Sequence, residues 1–227
     1  TSDDLTARLT LRNCKIHDGG TSLDLDHAIY LATPENIIEN CEIYNWTSHG
    51  IHVYGGNLMS GHRIFKNTIH GVATGIGIYG GGDQLIYNNV IYHSWLGFRA
   101  KSYGAIGIIG LYNNIIEDSY ISPNGGGIGV LGEVSAAFQS FNVRNNIISN
   151  SALMAESYAM SLGGARDHQL VSNTPGYVNA SLHDYHLNMS SPAIDAGVDL
   201  SGLFNAFDKD GIVRPRGSAW DIGAYEF

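Results

Sequence analysis

The chain has 227 residues, of which 44% are hydrophobic and only 15% are charged, and its formal net charge is −9. This composition is sufficient for the core of one elongated domain, and the excess of acidic residues argues against binding to nucleic acid. No apolar run approaches the roughly 18 residues of a membrane-spanning helix, so no membrane span is expected.

The first recurring element is a six-residue block whose copies align without a gap: LRNCKI, IENCEI, IFKNTI, IYNNVI, LYNNII and VRNNII. The blocks end in an isoleucine column, which consists of Ile16, Ile43, Ile69, Ile91, Ile116 and Ile148. An earlier apolar column begins the blocks, and it consists of Leu11, Ile38, Ile64, Ile86, Leu111 and Val143. The columns are an odd number of positions apart, so both can face one core only if the backbone bends between them.

Asparagine dominates this bend, and asparagine tolerates the left-handed conformation that a sharp corner needs. Stacked asparagine side chains can also satisfy one another's amide groups. We therefore expect a hydrogen-bonded ladder from coil to coil, formed by Asn67, Asn89, Asn114 and Asn146. In the same column, Cys14 and Cys41 are expected to be neighbours with free thiols, because a disulfide needs its Cβ atoms at about 3.8 Å and stacked parallel strands lie ~4.8 Å apart.

A second six-residue block alternates with the first: AIYLAT, GIHVYG, GIGIYG, AIGIIG, GIGVLG and AMSLGG. Its apolar residues alternate, which predicts a half-buried strand. The predicted outward column consists of Tyr30, His52, Gly77, Gly107, Gly129 and Ser161, and the next outward column contains Tyr54 and Tyr79. Three successive glycines predict an open trough, bordered by tyrosines on which sugar rings can stack. The alternative is that the glycines only relieve crowding beside loops.

Repeats of this length predict a solenoid, because the blades of a propeller need about 40 or more residues each. With its two alternating stacks, the chain resembles the right-handed parallel β-helix family, the pectate-lyase-like solenoids. The resemblance implies an all-β, single-stranded parallel β-helix over residues 1–190, with three strands per coil and about eight coils. It also implies that a substrate cleft lies on the outer face of the second stack.

A long loop is predicted from Tyr92 to Gly104, and it combines stacking surface with cationic donors: Trp95, Phe98, Arg99, Lys101 and Tyr103. A lyase that cleaves uronate polymers by β-elimination needs a base for the C5 proton and a cation for the carboxylate. Arg99 and Lys101 suit these roles, and the alternatives are His52 and Tyr79.

A hydrolase would instead need two carboxylates about 5 to 10 Å apart. The acidic candidates are Asp24, Asp26 and Asp83. They carry no fixed motif, and solvated turn residues are the favoured interpretation of all three.

Two groups of residues are candidates for metal binding. His27, His49 and His52 are expected to cluster near the first coils, either as a metal site or as a hydrogen-bonded corner. Asp208 and Asp210, in DKDG, resemble part of a Ca²⁺ loop but lack its downstream glutamate. A turn held by aspartate side chains is the alternative.

The C-terminal segment, residues 191–227, breaks the repeat. With SPAIDAG, DKDGIVRP and DIGAYEF in order, it resembles the choice-of-anchor Q region of secreted bacterial β-helix proteins. That resemblance implies a secreted or cell-surface bacterial protein. We expect the segment to close the open end of the last coil. The chain opens inside the repeat, so a preceding region or a neighbouring chain is expected to cover the first coil.

Together these features predict a secreted polysaccharide-active protein, most simply a lyase of an acidic polysaccharide. A glycoside hydrolase of the same fold is one alternative. A non-catalytic glycan-binding or adhesion module is the other, because the chain has only 12 Lys plus Arg and no clear set of catalytic carboxylates.

Overall fold

The computed structural model describes residues 8–23, 25–55, 59–101, 107–122, 125–133, 138–152, 154–158 and 163–227. The strands in chain order are β1 Thr10–Arg12, β2 Lys15–Gly19, β3 Ile29–Leu31, β4 Ile37–Glu39, β5 Glu42–Gly55, β6 His62–Phe65, β7 Thr68–Gly80, β8 Gln84–Tyr87, β9 Val90–Lys101, β10 Gly107–Tyr112, β11 Ile115–Ser119, β12 Ile121–Ser122, β13 Gly125–Gly126, β14 Ile128–Glu133, β15 Phe138–Arg144, β16 Ile147–Ser149, β17 Met154–Tyr158, β18 Arg166–Asp167, β19 Leu170–Val171, β20 Tyr177–Asn179 and β21 Asp184–Leu187. Helical structure within these residues is limited to a 3-10 turn at Ala180–Leu182. No helix in the described part of the chain could cross a lipid bilayer.

Two sheets of parallel strands form an all-β solenoid. The short-strand sheet has seven strands in the order β1-β4-β6-β8-β10-β15-β18. The long-strand sheet has ten strands, with β19-β16-β11-β9-β7-β5-β2 as its path and β3, β14 and β17 paired beside it. Each strand pairs with its counterpart in the next coil, so the backbone hydrogen bonds run along the solenoid axis.

Both predicted apolar columns are confirmed. The isoleucine column is in register from Ile16 to Ile148 across the long-strand sheet. The earlier column is in register from Leu11 to Val143 across the short-strand sheet. Except for Leu11 and Ile16 in the first coil, every member is at most 1% exposed. Each buried isoleucine therefore contributes on the order of 1.5–3 kcal/mol to folding.

The corner between the sheets has the conformation that the sequence predicts. The first residue of each corner pair has a positive φ, and this set comprises Asn13, Asn40, Lys66, Asn88, Asn113 and Asn145. The second residue of each later pair forms the ladder. Asn67 donates to Asn89 at 3.0 Å, Asn89 to Asn114 at 2.9 Å, and Asn114 to Asn146 at 3.0 Å.

Cys14 and Cys41 continue this column and are both free thiols, as predicted. Burial raises the pKa of the Cys41 thiol. The backbone amide of Cys41 donates to Asn67 Oδ1 at 2.9 Å, so the cysteine occupies a ladder position without supplying an amide of its own.

The number of coils and strands differs from the prediction. The solenoid has about five turns, and about eight coils with three strands each are not confirmed. After the corner, β5, β7 and β9 continue for 12 to 14 residues, because sheet pairing persists through the bend that was expected to separate two strands. The residues after β19 form a separate antiparallel pair, β20-β21, instead of further coils.

The C-terminal segment lies along the corner rather than over the last coil alone. Its backbone carbonyls accept hydrogen bonds from the outer corner asparagines: Phe207 from Asn88 at 2.7 Å, Asp221 from Asn113 at 3.1 Å, and Val198 from Asn145 at 2.8 Å. Phe204 and Trp220 pack on the ring of Tyr87 and its neighbours, and Ile222 and Ala224 pack on Ile115 and its neighbours. The left-handed corner turns its first residue outward, and in the last three of these corners that residue is an asparagine whose amide binds this segment. The boundary at residue 190 stays a prediction.

Candidate functional site

The outer face of the long-strand sheet carries two columns of outward-facing side chains. Inward positions are filled by Ile51, Ile76 and Phe98, so the alternate positions face outward. The first outward column consists of Tyr30, His52, Gly77, Arg99 and Leu131. The second consists of Tyr54, Tyr79, Lys101 and Glu133. We call these two columns the Tyr79 face.

This register corrects the predicted glycine trough. Gly107 belongs to β10 in the short-strand sheet, where a Cβ atom would lie 2.3 Å from the backbone of Gly82. Gly129 is buried between two residues that pair with Leu96 and Phe98, so it does not reach the outward column. Gly77 is in the predicted column, but a Cβ atom there would meet the His49 ring at 2.6 Å. The space beside Gly77 is therefore filled by aromatic rings.

Three histidines meet at one end of the Tyr79 face, as predicted. His49 and His52 lie on β5, and His27 precedes β3 on the adjacent coil. One ring nitrogen of each lies within 4.8 Å of the other two. The rings of His49 and His52 stack at a centroid distance of 4.5 Å, and His27 lies edge-on to both.

The hydrogen bonds of this cluster define which nitrogens carry protons. Ser48, which is fully buried, donates its hydroxyl proton to the Leu23 carbonyl. Its oxygen can then only accept from His27 Nδ1 at 3.1 Å and from His49 Nδ1 at 3.0 Å. Both Nε2 atoms of these rings are consequently acceptors. His27 Nε2 accepts from His52 Nδ1 at 2.7 Å, and the remaining Nε2 of His52 is buried without a hydrogen-bond partner.

The same residues are neutral at physiological pH. Burial and the neighbouring imidazoles lower the pKa of His49 to about 2 and the pKa of His52 to about 4. Burial also lowers the pKa of His27, against the attraction of the Asp26 carboxylate. Each ring therefore presents a nitrogen lone pair at pH 7.

Tyr79 connects the histidines to a charged pair. Its hydroxyl lies 3.2 Å from His49 Nε2 and accepts a hydrogen bond from Arg99 Nη1 at 2.8 Å. Arg99 in turn makes a bidentate ion pair with Glu133, at 2.7 and 2.9 Å. The guanidinium is thus fixed in one orientation, with its third nitrogen directed at the tyrosine oxygen.

Exposed aromatic rings border this polar centre. Tyr30 and Tyr54 are 51% and 45% exposed, and their ring centroids are 6.4 Å apart. His52 and Tyr79 are only 7% and 8% exposed. The face therefore combines an accessible aromatic platform with recessed titratable groups.

The predicted loop from Tyr92 to Gly104 is largely strand β9, which ends at Lys101. Lys101 pairs in register with Tyr79, so it lies on the Tyr79 face. Trp95 is partly buried, and Phe98 is a fully buried core residue. Tyr103 lies outside the described residues. The alternation of Leu96, Phe98 and Ala100 is the signal by which this strand could have been recognised.

Asp26 and Asp83 do not join the Tyr79 face. Asp26 Oδ2 accepts from the backbone amides of Thr21 and Ser22, which is the favoured turn role. Asp83 Oδ1 accepts from the Ile108 amide on the short-strand sheet. Asp24 and Ser161 lie outside the described residues.

The C-terminal pair, Asp208 and Asp210, has other contacts. Asp208 is 1% exposed, and its two carboxylate oxygens accept from the amides of Ile212 and Glu226. Asp210 accepts a hydrogen bond from His186 Nε2 at 2.8 Å. Binding of Ca²⁺ at these residues stays a prediction.

Two residues that contact this face could not be selected from the sequence. Glu133 contacts Arg99 from the next coil, and Ser48 joins two histidines from adjacent coils. Both contacts depend on the register between distant segments, and neither residue belongs to a local motif.

The fold and the Tyr79 face together define a parallel β-solenoid protein with an aromatic and polar site on one outer face. Residues 3–174 match the family model described as right handed beta helix region, and the chain belongs to this family. The crystal structure of the pectate lyase Pel9A is similar in fold, with a TM-score of 0.61 at 15% sequence identity. The similarity covers 96% of this chain but 65% of the pectate lyase chain. A comparison with curated proteins gave no match.

Proposed function

We propose that the protein cleaves an acidic polysaccharide by β-elimination at the Tyr79 face. The observation that carries this proposal is the 2.8 Å contact between the Arg99 guanidinium and the Tyr79 hydroxyl. Arg99 can stabilise the phenolate that forms when the Tyr79 hydroxyl passes its proton to the neutral Nε2 of His49, 3.2 Å away, and such an oxygen can remove the C5 proton of a uronate. The C4–O bond then breaks, a C4–C5 double bond forms, and the departing glycosidic oxygen takes up a proton.

Neighbouring residues supply the other requirements of this reaction. Lys101 lies beside Tyr79 on the adjacent strand, where its positive charge can neutralise the uronate carboxylate. The exposed rings of Tyr30 and Tyr54 provide a stacking surface for sugar units. His52 is the alternative base, because its ring is neutral and its Nε2 lone pair has no hydrogen-bond partner.

The test is incubation with alginate, pectate and glycosaminoglycans, with detection of the unsaturated uronate product by its ultraviolet absorbance. On the best substrate, Tyr79→Phe should lower kcat by at least about 100-fold with a smaller effect on KM, because it removes only the hydroxyl. The matched control is Tyr44→Phe, whose ring stacks between His17 and His70 on a different part of the same sheet. Loss of activity in His52→Gln with retention in Tyr79→Phe would transfer the role of base to His52.

Two other functions give different results in this experiment. A hydrolase would release reducing sugar without unsaturated product. Among the described residues of the two outward columns, however, Glu133 is the one residue with a carboxylate, and this carboxylate forms an ion pair with Arg99. A glycan-binding module, which the exposed Tyr30 and Tyr54 also fit, would bind polysaccharide without turnover.

We further propose that the protein is secreted or displayed on the surface of a bacterium. The support is the resemblance of residues 191–227 to the choice-of-anchor Q region. Fractionation of the source cells, with detection by an antibody against the solenoid, tests this proposal. Protein found solely in the cytoplasmic fraction would contradict it.

A further inference from the structure

We propose that His27, His49 and His52 form a binding site for a divalent transition-metal ion of the Zn²⁺ type. The inference does not rest on lyase activity, since metal binding can be measured without a substrate. It rests on the arrangement of the three rings, on the hydrogen bonds of Ser48, and on the buried nitrogen of His52.

The ring geometry is close to that of a three-histidine site. One nitrogen of each ring lies within 4.8 Å of the other two. A tetrahedral Zn²⁺ ion with bonds of 2.0–2.1 Å separates its nitrogen ligands by about 3.4 Å. The ring nitrogens therefore need to shift by about 1.4 Å at most, and His52 must rotate so that its Nε2 replaces the Nδ1 proton that His27 Nε2 now accepts.

Ser48 supplies the outer contact that oriented histidine ligands require. Its oxygen accepts from Nδ1 of both His27 and His49, so the two Nε2 lone pairs point away from it into the cluster. Hydrogen bonding of the second ring nitrogen fixes the tautomer and the orientation of metal-bound histidine in many proteins. A fully buried serine at this point is therefore suited to hold two ligands at once.

The unpaired Nε2 of His52 indicates that a ligand is missing from the histidine cluster. The His52 Nε2 is buried and makes no hydrogen bond, and an unsatisfied buried polar atom is destabilising. A metal ion would compensate this cost by drawing the ring into coordination. The Tyr79 hydroxyl, 3.2 Å from His49 Nε2, borders the position where a fourth ligand would bind.

The chemistry of the donors selects the class of ion. Three neutral imidazoles suit Zn²⁺, Co²⁺, Ni²⁺ or Cu²⁺, whereas Ca²⁺ and Mg²⁺ prefer oxygen ligands. No carboxylate belongs to the described cluster. The site should therefore discriminate against Ca²⁺ even when Ca²⁺ is in large excess.

The experiment is titration of the metal-free protein with Co²⁺, followed by its visible ligand-field absorption, and then displacement by Zn²⁺. We expect one ion per chain with the intense absorption of tetrahedral cobalt. His52→Gln should abolish this spectrum, and Ser48→Ala should weaken binding by about 10- to 100-fold. Calorimetry with Zn²⁺ should give the same order of affinities.

His62→Gln is the matched control for the loss of a buried histidine. His62 is 1% exposed, its pKa is lowered to about 4 by burial, and its Nε2 also lacks a hydrogen-bond partner. It is not part of the cluster, so His62→Gln should bind Co²⁺ like the wild type. Cys14→Ser controls for binding by thiols, and His186→Gln controls for binding at the exposed histidine near Asp184 and Asp210.

Circular dichroism establishes that each variant is folded before it is titrated. The proposal is overturned if the wild type gives no tetrahedral cobalt spectrum, or if His52→Gln and Ser48→Ala bind Zn²⁺ as tightly as the wild type. A spectrum that disappears in Cys14→Ser or His186→Gln instead would locate the ion elsewhere and would equally overturn it.

Discussion

Glu117 is a buried carboxyl whose protonation is coupled to folding. It is 4% exposed and accepts hydrogen bonds from Ser149 Oγ and Asn150 Nδ2. Burial raises the pKa of Glu117 to about 7, and the nearby charge of Asp118 adds to this effect, while the Asn150 and Tyr177 contacts oppose it. The carboxyl is therefore largely protonated in the folded protein at pH 5 and ionised at pH 8.

The sign of the resulting pH dependence follows from proton binding. Between the ordinary pKa of 4.5 and the folded value of about 7, the folded state binds more protons than the unfolded state. The contribution to stability is thus complete below pH 4.5 and is lost as the pH rises to 7. Glu117→Gln keeps a neutral side chain at every pH, so this variant should lose that part of the pH dependence.

We expect Glu117→Gln to be more stable than the wild type at pH 8, by up to about 3 kcal/mol, and to differ little at pH 4.5. Urea unfolding at both pH values measures the difference, provided that the m-value is unchanged. Glu35→Gln, at an exposed carboxyl, is the control for replacement of a glutamate elsewhere in the chain. If pH had the same effect on the stability of the wild type and of Glu117→Gln, the pKa of Glu117 would not differ between the folded and the unfolded state.

At the scale of single elements, the asparagine ladder is the structure that joins successive coils at the corner. Asn89 Oδ1 accepts from both the backbone and the side-chain amide of Asn67, each at 3.0 Å. Asn89 Nδ2 donates to the Ile64 carbonyl and to Asn114 Oδ1, each at 2.9 Å. All of these groups are buried, so water cannot replace a lost partner.

Asn89→Ala should lower the unfolding free energy by about 3 kcal/mol or more, because it leaves several buried donors and acceptors unpaired. Asn89→Asp should also be destabilising, since a carboxylate cannot donate to Ile64 or Asn114. Denaturant unfolding measures both effects, with the exposed Asn205→Ala as control. A loss below about 0.5 kcal/mol in Asn89→Ala would show that the ladder is not a main source of stability.

The elements also show why one stack could be predicted and the other only in part. The first stack was predicted correctly because its apolar columns and its asparagine corner reinforce each other in every copy. The prediction for the second stack is wrong at the AIGIIG block, which is followed without a gap by the next corner block at Leu111. A corner needs intervening residues, and Ile109 accordingly pairs with Gln84 in the short-strand sheet. The true counterpart of Gly77 is Arg99.

The same error limited the prediction of the site. His52, Tyr79, Arg99 and Lys101 were selected as separate candidates by chemistry, and the structure brings them onto one face. Their contacts could not be derived, because they depend on the pairing of Gly77 with Arg99. The repeated glycines wrongly predict Gly107 as the counterpart of Gly77. The metal-like histidine cluster was predictable because its three members lie close to two clear strand blocks.

At the scale of the whole molecule, the C-terminal segment is a strap that holds several coils together along their corner. Arg214 is its central contact and is 3% exposed. It donates to Glu226 at 2.8 Å, to the Gly223 carbonyl at 2.9 Å and to the Asp221 carbonyl at 3.1 Å. The guanidinium also reaches Asn88 Oδ1 at 3.4 Å, which links the strap to the solenoid.

Arg214→Met should detach this strap without disordering the coil columns, because it leaves Glu226 buried without a cation while the Ile and Asn columns keep their partners. Loss of one partner of a buried ion pair costs about 3–5 kcal/mol. Hydrogen exchange should therefore accelerate within residues 191–227 and remain slow at Ile69 and Ile91. The exposed Arg216→Met is the matched control, and Arg214→Met combined with Glu226→Gln should recover part of the protection, because it removes the unpaired charge. Unchanged exchange in residues 191–227 of Arg214→Met would show that apolar packing of Phe204 and Trp220, rather than the buried ion pair, holds the strap in place.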